Sequence, residues 1–267
     1  MRVHVVSDVH GSAAALAAAG DGADALVCLG DLVLFVDYED TSGGIFGELF
    51  GPEAATRWVR LRTAGRMDEA RALLRELWGE LGGDPWTHIT AAVRGQYAEL
   101  FAAMPDPTYL TYGNVDIPAL WPEYVRPGHT VLDGGIVTLG APGRELTFGF
   151  VGGGLPSAYR TPYEVPPEEY AGKVDAVFAA AGAAGRRVDV LCAHVPPAVP
   201  ELTYDVVARR FETGSVATLE AIRVHQPRLA LFGHVHQPLA ARLRIGRTEC
   251  VNVGHFRGTG TPYVLEW

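Results

Sequence analysis

Residues 2–11 read RVHVVSDVHG, and residues 12–20 continue as SAAALAAAG. A nearly unbroken apolar, β-branched run stops at Ser7. A polar turn, Asp8-x-His10-Gly11, follows, and then an alanine-rich helix former takes over. An apolar run without alternation is the pattern of a strand buried on both faces, as parallel strands in α/β proteins are. The pattern recurs. DALVCLGD (24–31), TYLTYGN (108–114), VDVLCAH (188–194) and RLALFGH (228–234) each pass from a continuous apolar run into a glycine or polar end. PEEYAGKVDAVFAAAG (167–182) and SVATLEAIRVHQ (215–226) read as helices between them. Strands alternating with helices predict an α/β fold. Residues 129–153 read instead as glycine-punctuated strands forming hairpins, and the tail from ARLRIGRTECVNVG to TPYVLEW reads similarly.

A chain of 267 residues can bury a substantial core. Twenty-two basic against 31 acidic residues give a formal charge of −9. That balance argues against a nucleic-acid or anionic-membrane surface. Cys28, Cys192 and Cys250 lie in separate apolar runs, which predicts buried thiols in a reducing compartment rather than disulfides. There is no Cys-x-x-Cys pair for a structural zinc site, no signal-peptide pattern at the start and no apolar run long enough to span a bilayer. A cytoplasmic protein is expected.

Residues 35–107 differ from the rest. After the glycine-rich SGGIFGELFG, Pro52 stands where the first turn of a helix would begin. Met67, Ala70, Leu74, Leu77 and Leu81 recur at helical spacing, as do Ile89, Val93, Tyr97, Leu100 and Met104. The reading is one domain over 1–267 with 35–107 as a mainly helical insertion, either packed on the core or acting as a lid.

The strand ends carry the chemistry. They supply Asp8 and His10, then Asp31, Asn114, His194, and finally His234 and His236. In open α/β sheets, ligands bind where loops converge at the carboxyl ends of the strands. Each motif alone is weak: Gly-Asn is a turn signal, and a single histidine is usually hydrogen-bonded structure. Together, in this order, Asp-x-His, Gly-Asp, Gly-Asn, a lone His and Gly-His-x-His resemble the five blocks of the calcineurin-like metallophosphoesterases. The resemblance spans residues 8–236. It implies a four-layer α/β/β/α sandwich with a dinuclear metal centre. By position, Asp8, His10 and His236 would hold one divalent ion and Asn114, His194 and His234 the other, with Asp31 bridging. Carboxylate, imidazole and amide ligands without thiolate suit manganese, iron or zinc. Two such ions roughly 3.5–4 Å apart can ionise a bridging water near neutral pH, and that hydroxide would attack phosphorus in line. Asp31 and Asn114 are thereby the catalytic residues of the resemblance.

The sequence departs from the family where the leaving group would be protonated. Phosphatases of the family usually read Gly-Asn-His at the third block, and here the histidine is Val115. The aspartate that orients it, three residues beyond Asp31, is Leu34. An absent acid weighs roughly 10²–10⁴ in rate for poor leaving groups and little for acidic ones. A phosphodiester is the expected substrate. The alternatives are a phosphomonoesterase, such as a nucleotide phosphatase, or a non-catalytic scaffold.

Several residues near these blocks have open roles. Asp116 would orient groups around the ligands or cap a helix before Ile117-Pro118. His255, in NVGHF where relatives commonly have Asn-Pro-Gly-Ser, would replace the acid, bind a phosphate oxygen, or lie free on the surface. His4, His88, His129 and His225 fit no block and read as structural or exposed. Arg160, in SAYRTPYEV, is a substrate contact or part of a solvated loop. The expected partner is a small phosphate ester, with neither nucleic acid nor membrane; the sequence does not set the oligomeric state.

Overall fold

The computed structural model describes residues 1–267. In chain order the first elements are β1 (Arg2–Val6), α1 (Ala13–Ala18), β2 (Ala25–Cys28), α2 (Gly44–Thr63), α3 (Met67–Leu81), α4 (Pro85–Ala103) and β3 (Thr108–Leu110). Next come a 3-10 turn at Pro118–Glu123, β4 (His129–Val131), β5 (Gly135–Leu139), β6 (Leu146–Val151), α5 (Pro167–Ala183) and β7 (Val190–Ala193). The remainder is α6 (Pro200–Thr203), β8 (Tyr204–Asp205), β9 (Arg210–Phe211), α7 (Val216–His225), β10 (Leu229–Phe232), β11 (Arg242–Ile245), β12 (Thr248–Asn252), α8 (Phe256–Thr259) and β13 (Tyr263–Glu266). All five strands that precede ligand-bearing turns are present. No helix is long and apolar enough to cross a membrane.

The chain divides into two compact units, Met1–Leu32 with Leu100–Trp267, and Val33–Glu99. The first holds two main sheets, ordered β13-β1-β2-β3-β4 and β11-β12-β10-β7-β6-β5. Strands β1 to β4 run parallel, as do β6, β7, β10 and β12. Side-chain alternation explains why the runs are apolar throughout. Val3, Val5, Val27, Phe148, Phe150, Val190, Cys192, Leu229 and Leu231 meet in one core between the sheets. The intervening residues Leu191, Ala193, Ala230 and Phe232 face outward into a second core with Tyr170, Val174 and Val177 of α5 and Ile222 of α7. Helix α5 lies so close to its sheet that a Cβ on Gly149 would sit 2.2 Å from Val177 Cγ1. On the far side, His4 of β1 points away from the inter-sheet core and its Nδ1 bonds the Ala19 carbonyl behind α1 (2.8 Å). Within this unit the layers run helix, sheet, sheet, helix.

The block 129–153 is only partly a hairpin. β5 and β6 pair antiparallel, but β4 leaves them to extend the other sheet beside β3, in parallel. A three-residue strand carries too little pattern to reveal which sheet it joins. The tail does form a hairpin, β11-β12, while β13 returns to pair with β1.

In the second unit, α2 breaks at Gly51 (φ 78°, ψ 162°), and Pro52 opens the helical segment that follows. The buried face of α3 is Ala70, Leu73 and Leu77. Met67 and Leu81, expected on that face, are exposed. The true stripe is centred one residue away, on Leu73 rather than Leu74. Ala55, Trp58, Phe46, Ala70, Leu73 and Leu77 make this unit's own core.

Candidate metal centre

Backbone bonds tie the turn after β1 to that after β2, and the turn after β10 to that after β7. Asp8 N–H donates to Gly30 O, His10 N–H to Asp31 O and Gly233 N–H to His194 O, at 3.1, 2.9 and 3.1 Å. The approach is close enough that a Cβ on Gly113 would lie 2.0 Å from Asp31 Oδ1, and one on Gly233 would lie 2.3 Å from Asp8 Oδ2. Those two glycines are steric requirements of the site. Asp8, His10, Asp31 and His234 all have positive φ (57°, 42°, 55° and 68°). This conformation is uncommon outside glycine, although Asp and His tolerate it better than most.

The structure brings the seven predicted donors together. His10 Nε2 lies 3.2 Å from His236 Nε2, and Asp8 Oδ1 lies 3.5 Å from His236 Nε2 and 3.9 Å from His10 Nε2. A second set closes on Asn114 Oδ1, which is 2.9 Å from His194 Nε2 and 2.8 Å from His234 Nδ1. Asp31 stands between them. Its Oδ2 is 3.8 Å from His10 Nε2, and its Oδ1 is 3.4 Å from His194 Nε2.

Surrounding hydrogen bonds aim these atoms. His194 Nδ1 donates to the Leu29 carbonyl (2.9 Å), which turns Nε2 toward Asn114 and Asp31. Asn114 Nδ2 donates to Thr161 Oγ1 (3.2 Å), so its oxygen faces the histidines. Thr161 in turn donates to Glu164 (3.0 Å). His234 N–H occupies Asp8 Oδ2 (3.0 Å), while Asp8 Oδ1 is buried with no well-aligned hydrogen bond. With Nδ1–H of His194 given to Leu29, its Nε2 lone pair meets the oxygens of Asn114 and Asp31, an arrangement that calls for a positive charge among them. An ion bound at about 2.0–2.2 Å from each ligand separates neighbouring donors by about 3 Å. The spacings fit, and the donor set suits a borderline divalent metal.

Electrostatics agree. Burial opposes charge on Asp8, but His236 first, then His194 and His10, hold its carboxyl far below the usual range. Asp31 is likewise lowered against burial, by His194 and His10. Burial disfavours a charged His194, yet Asp31, with Asp8 and Asp116, pushes its pKa up to about 9. His234 is pushed down to about 4 by burial and by His194.

Asp116 caps no helix: the 3-10 turn has Ile117 at its N-cap, without a side-chain bond. Its carboxylate is wholly buried and accepts the backbone N–H groups of Asp31 (2.9 Å), Leu32 (3.0 Å) and Gly113 (2.8 Å). It thus clamps the second-block turn to the third. Burial, then Asp31, raises its pKa to about 7. Val115 contributes its N–H to Asp31 Oδ1 (2.9 Å) and offers no polar side chain.

His255 is not a free surface residue. Its ring stacks on His236 (centroids 3.9 Å apart, planes within 3°) and meets His10 edge-on at 5.7 Å. Ligand atoms of His10, His236 and His255 lie within 4.8 Å of one another, and so do those of Asp8, Asp31 and His194. The other histidines have structural partners: His88 the Gly82 carbonyl, His129 Asp106, and His225 the Phe178 ring. All three cysteines are buried and unbridged. Arg160 is exposed, with φ 52°. Thr161 and Glu164, which steady Asn114, belong to no sequence motif; a contact 47 residues away leaves no local signal.

A family model described as calcineurin-like phosphoesterase matches residues 1–238. Comparison with curated proteins gives no match. One solved structure superimposes with a TM-score of 0.55 at 17% identity, over 96% of this chain and 91% of that one. The structure of the Thermus thermophilus protein TT1561 superimposes with a TM-score of 0.51 at 13% identity, over 99% and 98%. At such identities these two likenesses speak for the fold alone.

Proposed function

Because this chain belongs to the calcineurin-like phosphoesterase family, hydrolases of phosphoric esters, we propose that it cleaves a small phosphodiester with two divalent transition-metal ions. The observation that carries the two-ion reading is Asp31, whose two carboxylate oxygens face different donor groups, His10 on one side and His194 on the other. Asp8, His10 and His236 would hold one ion, and Asn114, His194 and His234 the other. Manganese, iron and zinc all suit these ligands. Bound there, such ions supply positive charge against the phosphoryl oxygens and make a water acidic enough to ionise near neutral pH.

The protein's own residues supply arrangement. Leu29, Thr161 and the His234 backbone fix the direction of His194, Asn114 and Asp8, so the donors need little rearrangement on binding. Asp116 fixes the turn that carries Asp31. Val115 supports the diester preference, because an aliphatic side chain cannot protonate a leaving oxygen. Alcohols that leave readily as anions are then favoured.

The test is metal analysis of the purified protein, coupled to turnover of an aryl phosphodiester and the matched aryl monoester with added manganese. The expected result is bound metal, activity abolished by EDTA, and faster diester cleavage. Monoester preference would refute the substrate reading, and undiminished activity in EDTA would refute the metal reading.

A further inference from the structure

Resting on the function proposed above, we propose that His255 binds the substrate's phosphoryl group, donating a hydrogen bond from Nε2 to a non-bridging oxygen. Three observations lead there.

The first is an orphan: His255 Nε2 is buried and has no hydrogen-bond partner. Buried polar atoms in folded proteins are nearly always paired, so an unpaired one beside a reaction site marks a place for a ligand.

The second is the stack on His236, at 3.9 Å and 3°. An imidazole binds an ion in the plane of its ring. Two face-to-face rings cannot both aim at one ion about 2 Å away. With His236 Nε2 directed at Asp8 and His10, a parallel His255 points beside that position. A ligand atom of His255 lies within 4.8 Å of those of His10 and His236, near enough to reach a phosphoryl oxygen of a substrate bound beside them. The other ring nitrogen, Nδ1, is turned toward Gly258 of α8, where an added Cβ would come within 3.1 Å of it.

The third observation is how the residue is held. Phe256 N–H donates to Ser7 O (3.0 Å), Arg257 N–H to Asp8 O (3.1 Å) and the Arg257 guanidinium to His10 O (2.8 Å). The short α8 is fastened to the turn that carries Asp8 and His10. His255 therefore keeps a fixed position relative to those ligands, and Val115 leaves the site without the polar side chain that family phosphatases have there.

The experiment uses manganese-loaded full-length protein, inorganic phosphate as the probe, calorimetric titration, and metal content measured in parallel. His255→Ala should retain wild-type manganese and bind phosphate about 10- to 100-fold more weakly, the range for a lost hydrogen bond to a charged group. His255→Gln, which restores a donor, should recover much of the loss. His255→Phe keeps a ring on His236 without a nitrogen and should be as weak as the alanine variant. Phosphate affinity unchanged in His255→Ala, or wild-type affinity in His255→Phe, overturns the proposal. Loss of manganese in His255→Ala overturns it too, because the residue is then a ligand. A wild-type protein that takes up no manganese fails before phosphate is added, and that result removes the function reading itself.

Discussion

After treatment with EDTA the protein is expected to lose stability as pH rises from 6.5 to about 8.5, through His194. Without metal, a proton is the positive charge available to the lone pairs around Asp31. Burial alone would expel it, but Asp31, Asp8 and Asp116 hold the pKa at about 9 against an ordinary 6.5. A histidine raised in the folded state contributes stability that is complete below pH 6.5 and disappears as pH climbs through 9. Over about two pH units, at about 1.4 kcal/mol per unit, the loss is about 2–3 kcal/mol. His236, also raised, acts in the same direction. His234 and His255, both lowered to about 4, act oppositely and only below pH 6.5, where the unfolded chain protonates them. Cys28 and Cys250, raised to about 12, weigh against the fold only above pH 9, where unfolded thiols ionise. Asp116, raised to about 7, costs stability increasingly up to about that pH and so adds a smaller loss at the start of the window; like His194 and His236, it belongs to the site. Urea denaturation at the two pH values measures the drop, with two controls. Added manganese should abolish the drop by replacing the proton, and His194→Gln should remove most of it, leaving the smaller parts due to His236 and Asp116. Equal stability of the metal-free wild type at both pH values, or the same drop in His194→Gln, would refute the reasoning.

Further substitutions test individual parts. Asp31→Asn should reduce turnover by at least about 10³-fold and lower the content of both metals, measured by elemental analysis. Val115→His should make the rate less dependent on leaving-group pKa, by up to roughly 10²-fold for poor leaving groups; an unchanged series of aryl and alkyl esters counts against the missing-acid reading. Thr161→Val should weaken metal binding about 10-fold with little change in melting temperature, because only the Asn114 amide loses its guide. Asp116→Ala deprives three buried N–H groups of their acceptor, at about 1–3 kcal/mol each. Relief of its repulsion with Asp31 offsets part of that, leaving a net loss of about 2–4 kcal/mol by denaturation.

What could be read in the sequence was whatever is short-range. The buried strands announce themselves by continuous apolar runs, since both of their faces are covered. The turns just after them carry their donors. Pairings between distant segments left no such trace. β4 reads like a partner of β5 but extends the opposite sheet, because three residues cannot encode which edge they complete. The face of α3 is displaced by a residue, since Leu73 and Leu74 are equally apolar and only packing chooses between them. Asp116 resembles a cap from its neighbours, yet its partners are 84 and 85 residues back along the chain. His255 stands out in NVGHF, but its stacking on His236 is a property of the folded molecule that no local pattern carries.

The left-handed backbone at Asp8, His10, Asp31 and His234 has a kinetic consequence. Strained conformations of this kind weigh on the order of 1 kcal/mol or more apiece and persist only where surrounding packing enforces them. The backbone bonds of Asp8 to Gly30, of His10 to Asp31 and of Gly233 to His194 are part of that enforcing packing. Metal uptake should resemble entry into a finished mould, limited by loss of the ion's own hydration shell rather than by chain rearrangement. The converse is a built-in gauge. Any distant change that loosens the sheets lets these four residues relax toward ordinary backbone angles, so the rate of metal release should rise while the protein is still fully folded.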